Sequence, residues 1–267
     1  MARGLAHLSD EALVALVARA DEEALAELYD RFGRVAYGLA LRIVRDPALA
    51  EDAVQEGFLA VWRSATRFVA DRAKASTWIL TLVHRRAVDL VRREQPRRAE
   101  PLDDAPHPTG GDTEQEAWLR LRRGRVQEAL KRLPDKQREA LELAYYGGFT
   151  QSELADRLGE PLGTIKSRMF SGLANLRELL AADEPRGRAM ERAEIHELSA
   201  AYALDALDPA ERDAYEEHLA RCAECREAVA AFQDVAADLA YEADAPPPPP
   251  AKSPAGTASP SSITQAS

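Results

Sequence analysis

Apolar residues recur every three or four positions along most of this chain, a spacing that gathers them on one face of an α-helix and leaves Arg and Glu on the other. Strand-like alternation is nearly absent, so the pattern predicts an all-α fold. In "ALAEDAVQEGFLAVWRSATRF", Val54, Phe58, Val61 and Ala65 share one helical face, while Glu51, Asp52, Gln55 and Glu56 share another. In "STWILTLVHRRAVDLVRREQ" the apolar face is Ile79, Leu82, Val83, Ala87, Leu90 and Val91; Thr77, Thr81, His84, Arg85 and Arg92 line the other side. A third pattern lies in "GFTQSELADRLGEPLGTIKSRMFSGLANLREL". Thr150, with Glu153 three residues on, makes a capping box for a short helix whose apolar face is Leu154, Ala155 and Leu158. Gly159 permits a tight turn and Pro161 suits the start of the next helix. On that helix Ile165, Met169, Gly172, Leu173 and Leu176 form the apolar back.

The helical pattern breaks twice. "EQPRRAEPLDDAPHPTGGDTEQE" has four prolines, adjacent glycines and no periodicity, as a flexible linker does. From Ala245 onward Pro, Ser and Ala dominate, which predicts a disordered tail. With a weaker break near 182–190, the expected organisation is a helical domain over 1–95, a linker over 96–116, and a second helical domain with a helix-turn-helix over 117–184. A small three-helix domain over 191–243 and the Pro-rich tail over 244–267 complete it. At 267 residues there is room for several separate cores.

Charge divides the chain along the same lines. The net of −10 is carried by the third block, where Glu191 to Asp244 holds 15 acidic against four basic side chains, a net of −11; residues 1–190 carry 30 of each sign. Within that neutral portion Arg120 to Arg138 holds eight basic residues against two acidic, and 62–98 holds ten against three. Local basic patches of this kind attract phosphates whatever the base sequence.

The polar faces then acquire a chemistry. Thr164, Ser167, Phe170 and Ser171 stand opposite the apolar back of the last helix, flanked by Lys166 and Arg168. Short polar groups for base edges beside cations for phosphates are what a recognition helix requires, although the turn alone fits an ordinary amphipathic hairpin equally well. Trp78, at the head of the basic helix, is placed to receive unstacked bases or to be partly buried. The stripe Glu51, Asp52, Gln55, Glu56 is by itself an ordinary solvated face.

Both cysteines of the chain fall in "EEHLARCAECREAV". His218, Cys222 and Cys225 are spaced i, i+4, i+7, so their side chains converge, and an imidazole with two thiolates suits Zn²⁺ in a closed structural site. His196 is the best-placed fourth donor. The alternative is a pair of small buried cysteines beside an exposed His218. An open catalytic zinc would need a base, for which Glu217 and Glu224 are candidates. No stretch reads as membrane-spanning or as a signal peptide, so a cytoplasmic, reducing location is expected, where clustered thiols point to metal or redox chemistry.

Four segments in order, "ALAEDAVQEGFLAVW", "STWILTLVHRRAVDLVRR", "LPDKQREALEL" and "FTQSELADRLGEPLGTIKSRMFSGLANLR", resemble the two regions of an extracytoplasmic-function sigma factor. The resemblance implies a non-enzymatic partner of the bacterial RNA polymerase core and of promoter DNA. Glu51, Asp52, Gln55 and Glu56 would grip the polymerase clamp. Trp78, Thr81, His84, Arg85 and Arg92 would melt and read the −10 element. Thr164, Lys166, Ser167, Arg168, Phe170 and Ser171 would read the −35 element. Seven residues after Trp78, where many members carry Asn, this chain has Arg85. The third block is similar to the zinc-binding anti-sigma domain, whose upstream His and His-x3-Cys-x2-Cys pattern implies His196, His218, Cys222 and Cys225 as ligands. That domain wraps between the two sigma regions and blocks polymerase, which implies an intramolecular contact here. Two other classes each account for part of the chain: a helix-turn-helix regulator that acts without polymerase, and a zinc hydrolase.

Overall fold

A computed structural model of the chain describes residues 4–70, 73–94, 114–181 and 198–243. The expected tail and His196, and all of the expected linker except its last three residues, lie outside these. Eleven helices and a short 3₁₀ turn make up the described residues, with no strand among them.

The first block holds α1 (Asp10–Val17), α2 (Glu22–Val44), α3 (Pro47–Ser64) and α4 (Ala75–Glu94). The starts of α1, α2 and α3 are written locally, whereas the Ala75 N–H at the head of α4 donates to the Glu11 carboxylate of α1 at 3.2 Å. The Ser9 hydroxyl accepts from the Ala12 N–H at 3.2 Å, and the Asp21 carboxylate from Ala24 at 3.1 Å. Asp46 caps α3 twice, accepting from Ala48 at 2.9 Å and Leu49 at 3.1 Å, with Pro47 at the first helical position. Val54, Phe58, Val61 and Ala65 are buried as their spacing predicts, against Leu28, Phe32 and Leu39 of α2 and Ile79, Leu80 and Val83 of α4. The approach of α3 to α4 is close enough to demand glycine: a Cβ on Gly57 would lie 2.6 Å from the Val83 Cγ2.

The second block holds α5 (Glu114–Arg132), α6 (Asp135–Tyr145), α7 (Gln151–Leu158) and α8 (Leu162–Ala181). Helix α5 thus starts inside the expected linker. Both halves of the capping box are made: Glu153 N–H donates to Thr150 Oγ1 at 3.2 Å, and Thr150 N–H to the Glu153 carboxylate at 2.8 Å. Helix α7 ends at Gly159 with φ +64°, and all five residues of the α8 apolar back are buried.

The third block comprises α9 (Leu198–Ala203), α10 (Pro209–Leu219) and α11 (Ala223–Ala240). It shares one continuous apolar core with the other two, through Phe232, Val235 and Leu239 of α11 among others. Helix α11 lies against α4 and α2 of the first block and α8 of the second, while α9 packs on α8. The third block is therefore wedged between the other two.

Candidate nucleic-acid interface and metal centre

Helix α4 has two covered faces, where periodicity marks one. Its apolar side packs into the first block, and its polar side is covered by the second and third. His84, which sequence places on the open polar face, is 2% exposed. Its ring stacks on Tyr145 of α6 at 4.2 Å, and its Nε2–H donates to the Tyr145 carbonyl at 2.9 Å. Burial pushes the His84 pKa below its ordinary value, opposed by the nearby Asp205 carboxylate. Arg92 donates to the Gly148 carbonyl at 3.0 Å and to the Asp205 carbonyl at 2.7 Å, so one side chain ties all three blocks. Arg85 lies 3.8 Å from the Asp205 carboxylate, with its guanidinium over the Tyr202 ring. Thr77 is buried and donates to Asp234 at 2.6 Å. Thr81 donates to the Thr77 carbonyl at 2.8 Å, within its own helix. Trp78 is half-buried, its ring 5.1 Å from Phe68.

On α8, Thr164, Lys166, Ser167, Arg168, Phe170 and Ser171 are all half-exposed. Lys166 pairs with Glu211 of α10 at 3.0 Å, and the Phe170 ring meets the edge of Phe232 of α11 at 5.4 Å. Arg168 instead pairs inside its own block, with Glu160 at 2.8 Å. Around this helix the third block adds contacts that sequence did not single out. Gln151 donates to Glu211 at 2.5 Å, Ser152 to Asp208 at 2.5 Å, and the Gln151 N–H to the Ala206 carbonyl at 2.8 Å. The −11 charge of the block signalled carboxylates for these basic surfaces, but not which carboxylate would meet which residue. On α3 the stripe stays at the surface, with Asp52 and Glu56 exposed and Glu51 and Gln55 half-buried.

The cysteine cluster is assembled across a helix break. His218 lies in the last turn of α10, Cys222 caps α11 and Cys225 lies in its first turn, so the three donors span the break between the two helices. Their ligand atoms lie within 4.8 Å of one another. Tetrahedral zinc, with bonds of about 2.0–2.3 Å, puts its donors somewhat under about 4 Å apart. A borderline-soft set of one nitrogen and two sulfurs therefore fits that ion with little movement. Tyr215 backs the site, its ring stacked at 6.0 Å on His218 and its hydroxyl 2.8 Å from Ser199 Oγ. Burial pushes the Cys225 thiol up, which keeps it protonated when no cation is beside it. Glu217, offered as a catalytic base, is exposed and accepts from Arg221 at 2.5 Å; Glu224 is exposed as well.

Comparison with known proteins matches three segments. Residues 28–97 fit the family described as "Sigma-70 region 2", 129–178 "Sigma-70, region 4", and 193–226 "Putative zinc-finger". The ECF RNA polymerase sigma factor SigK of Mycobacterium tuberculosis is 42% identical over 173 residues, covering 64% of this chain and 92% of the relative. SigK of Mycolicibacterium vanbaalenii is also 42% identical over 173 residues, 88% of its length. The chain belongs to the ECF RNA polymerase sigma factors. A structure of CnrH in complex with the cytosolic domain of CnrY covers 66% of this chain and 99% of its own at 26% identity, with a TM-score of 0.32. The sigma factor is thus a transcription initiation factor with both sigma-70 regions and a zinc-finger-type third block, and a regulator that dispenses with polymerase is set aside.

Two polar junctions hold the third block of the sigma factor. One is Asp205, 3% exposed, whose carboxylate faces Arg85, Arg92 and Arg212. The other is Glu242, paired with Arg42 of α2 at 2.7 Å and 2.8 Å from the Tyr146 hydroxyl, over whose ring Arg42 lies. Arg122 of α5 adds an ion pair to Asp238 and stacks on Tyr241. No described helix is long and apolar enough to cross a membrane.

Proposed function

We propose that the sigma factor works in the cytoplasm as the promoter-reading subunit of RNA polymerase, and that its third block keeps it closed in cis. Glu51, Asp52, Gln55 and Glu56 are the polymerase contacts. Trp78, Thr81, His84, Arg85 and Arg92 serve the −10 element, and Thr164, Lys166, Ser167, Arg168, Phe170 and Ser171 the −35 element. The observation that carries closure is the wedge: α11 packs on α4 and α8 at once. That holds together two regions which must separate to span a promoter. Because the block is tethered, its effective concentration is of the order of millimolar, and a weak contact suffices.

His218, Cys222 and Cys225, with His196 as fourth donor, are the residues to hold zinc. A closed four-ligand site would supply folding free energy to α10 and α11 and leave no activated water, which favours a structural ion over a hydrolase. The domain roles follow: 1–95 for clamp and −10 element, 117–184 for the −35 element, 191–243 for control. Run-off transcription with core polymerase tests this. The 1–183 fragment and a Cys222→Ser, Cys225→Ser variant are expected to initiate more strongly than the full chain. Equal activity of all three would refute closure, and no activity from any would refute the initiation role.

A further inference from the structure

Tyr215 stands on α10 one turn before His218, and it carries a hydroxyl that ring packing alone would not require. The residue is 1% exposed, Ser199 of α9 is wholly buried, and their hydroxyl oxygens lie 2.8 Å apart. The same Tyr215 hydroxyl is hydrogen-bonded to Cys225, the buried cysteine of the cluster. Resting on the zinc reading proposed above, we infer that Ser199 and Tyr215 are positioning residues of the metal centre: Ser199 donates to Tyr215, and Tyr215 donates to the Cys225 sulfur and holds it as a ligand.

Only one direction of donation is open along this chain. A thiolate ligand can accept but not donate, so the single proton of the Tyr215 hydroxyl goes to Cys225. The phenol oxygen then accepts, and the Ser199 hydroxyl is the donor in reach. Burial decides which of the two thiolates needs such help. Cys222 is half-exposed, so solvent can hydrogen-bond its sulfur. Cys225 is 0% exposed, and negative charge there must find its donors within the protein. Contacts of the Tyr215 ring with His218 at 6.0 Å and with Tyr202 at 5.4 Å fix where the hydroxyl points. A phenylalanine would make those contacts as well; only the hydroxyl answers charge on sulfur. Donors behind a ligand orient it and tune the metal it holds, although they never touch the ion.

The test compares the full-length chain with full-length Tyr215→Phe, Ser199→Ala and the double variant. Each is stripped of metal, then followed by competitive zinc titration and by the absorption of its Co²⁺ form. Tyr215→Phe should weaken zinc binding by about 10- to 100-fold, and Ser199→Ala by less. In the Tyr215→Phe background Ser199→Ala should change zinc affinity no further, because the chain is already cut. The sulfur-to-cobalt band should move to longer wavelength in Tyr215→Phe, since a sulfur without its donor gives up charge more readily. Native zinc affinity and an unmoved band in Tyr215→Phe would overturn the inference, reducing Tyr215 to packing and leaving the zinc reading intact. A native chain that takes up neither zinc nor cobalt would remove the zinc reading itself, and the inference with it. Should Tyr215→Phe unfold, Ser199→Ala decides: weaker zinc binding supports the donor chain, and native affinity overturns it.

Discussion

Asp205 is the buried carboxylate of the third block that meets arginines of α4. Its backbone is left-handed, φ 58°, a conformation that Asp tolerates better than most residues, and its carboxylate is buried among three arginines. Asp205→Asn keeps the shape and removes the charge, leaving Arg85, Arg92 and Arg212 uncompensated. It is expected to destabilise the full chain by about 1–3 kcal/mol, read as a lower denaturation midpoint and faster proteolysis between the blocks. Arg85, where many sigma factors of the resembled family carry Asn, contacts the third block here, through Asp205 and Tyr202. His84 makes a second residue-scale prediction. Its folded pKa lies below the unfolded value of 6.5, so the unfolded chain binds the proton first and stability falls as pH drops below that value. The groups facing it are Tyr145, Asp205, Arg85 and Arg92. Denaturant midpoints measured from neutral to mildly acid pH should fall for the native chain and flatten in His84→Phe. The identity of His84, Arg85 and Arg92 as outward polar residues was legible from helical periodicity. Their burial was not, because a face covered by ion pairs carries the same residue types as one facing water.

Among the elements, α8 is the most legible in sequence: its five apolar positions at helical spacing are the five buried ones. The capping box of α7 was equally plain, since Thr and Glu three apart satisfy two backbone donors with no tertiary help. Thr150→Ala should cost about 1 kcal/mol in a stability titration. Helix α10 departs from its local code. Asp208 stands at the cap and Pro209 at the first helical position, a local start signal, but the Asp208 side chain makes no cap bond and accepts from Ser152 of α7 instead. Asp208→Ala is therefore expected to raise hydrogen exchange in α7 as well as in α10, whereas a mere cap would affect α10 alone. Gly57→Val, placing side-chain atoms where even a Cβ meets Val83 at 2.6 Å, should destabilise the first block by about 1–3 kcal/mol or more.

At the scale of the whole molecule, three blocks share one core and are held by junctions at which every block contributes. Arg92 links α4 to Gly148 and Asp205, and Tyr146 links α6 to Arg42 and Glu242. Chelating the metal from zinc-loaded full chain should loosen α10 and α11 first, because the ligands bridge the break between them. Thermal unfolding with and without a chelator checks this, with a lower midpoint expected in the native chain and no further change in Cys222→Ser, Cys225→Ser. A resemblance marked the two sigma regions, and the sequence by itself determined the all-α fold, the apolar faces of α3, α4, α7 and α8, the capping box of α7 and the clustering of His218, Cys222 and Cys225. Each of these depends on residues a few positions apart, within reach of local geometry. Only the tertiary structure decided that the polar faces of α4, α7 and α8 close on Asp205, Asp208, Glu211 and Asp234. Such pairs join residues 45 to 157 positions apart, and charge at long range says that opposite signs attract without saying which will meet.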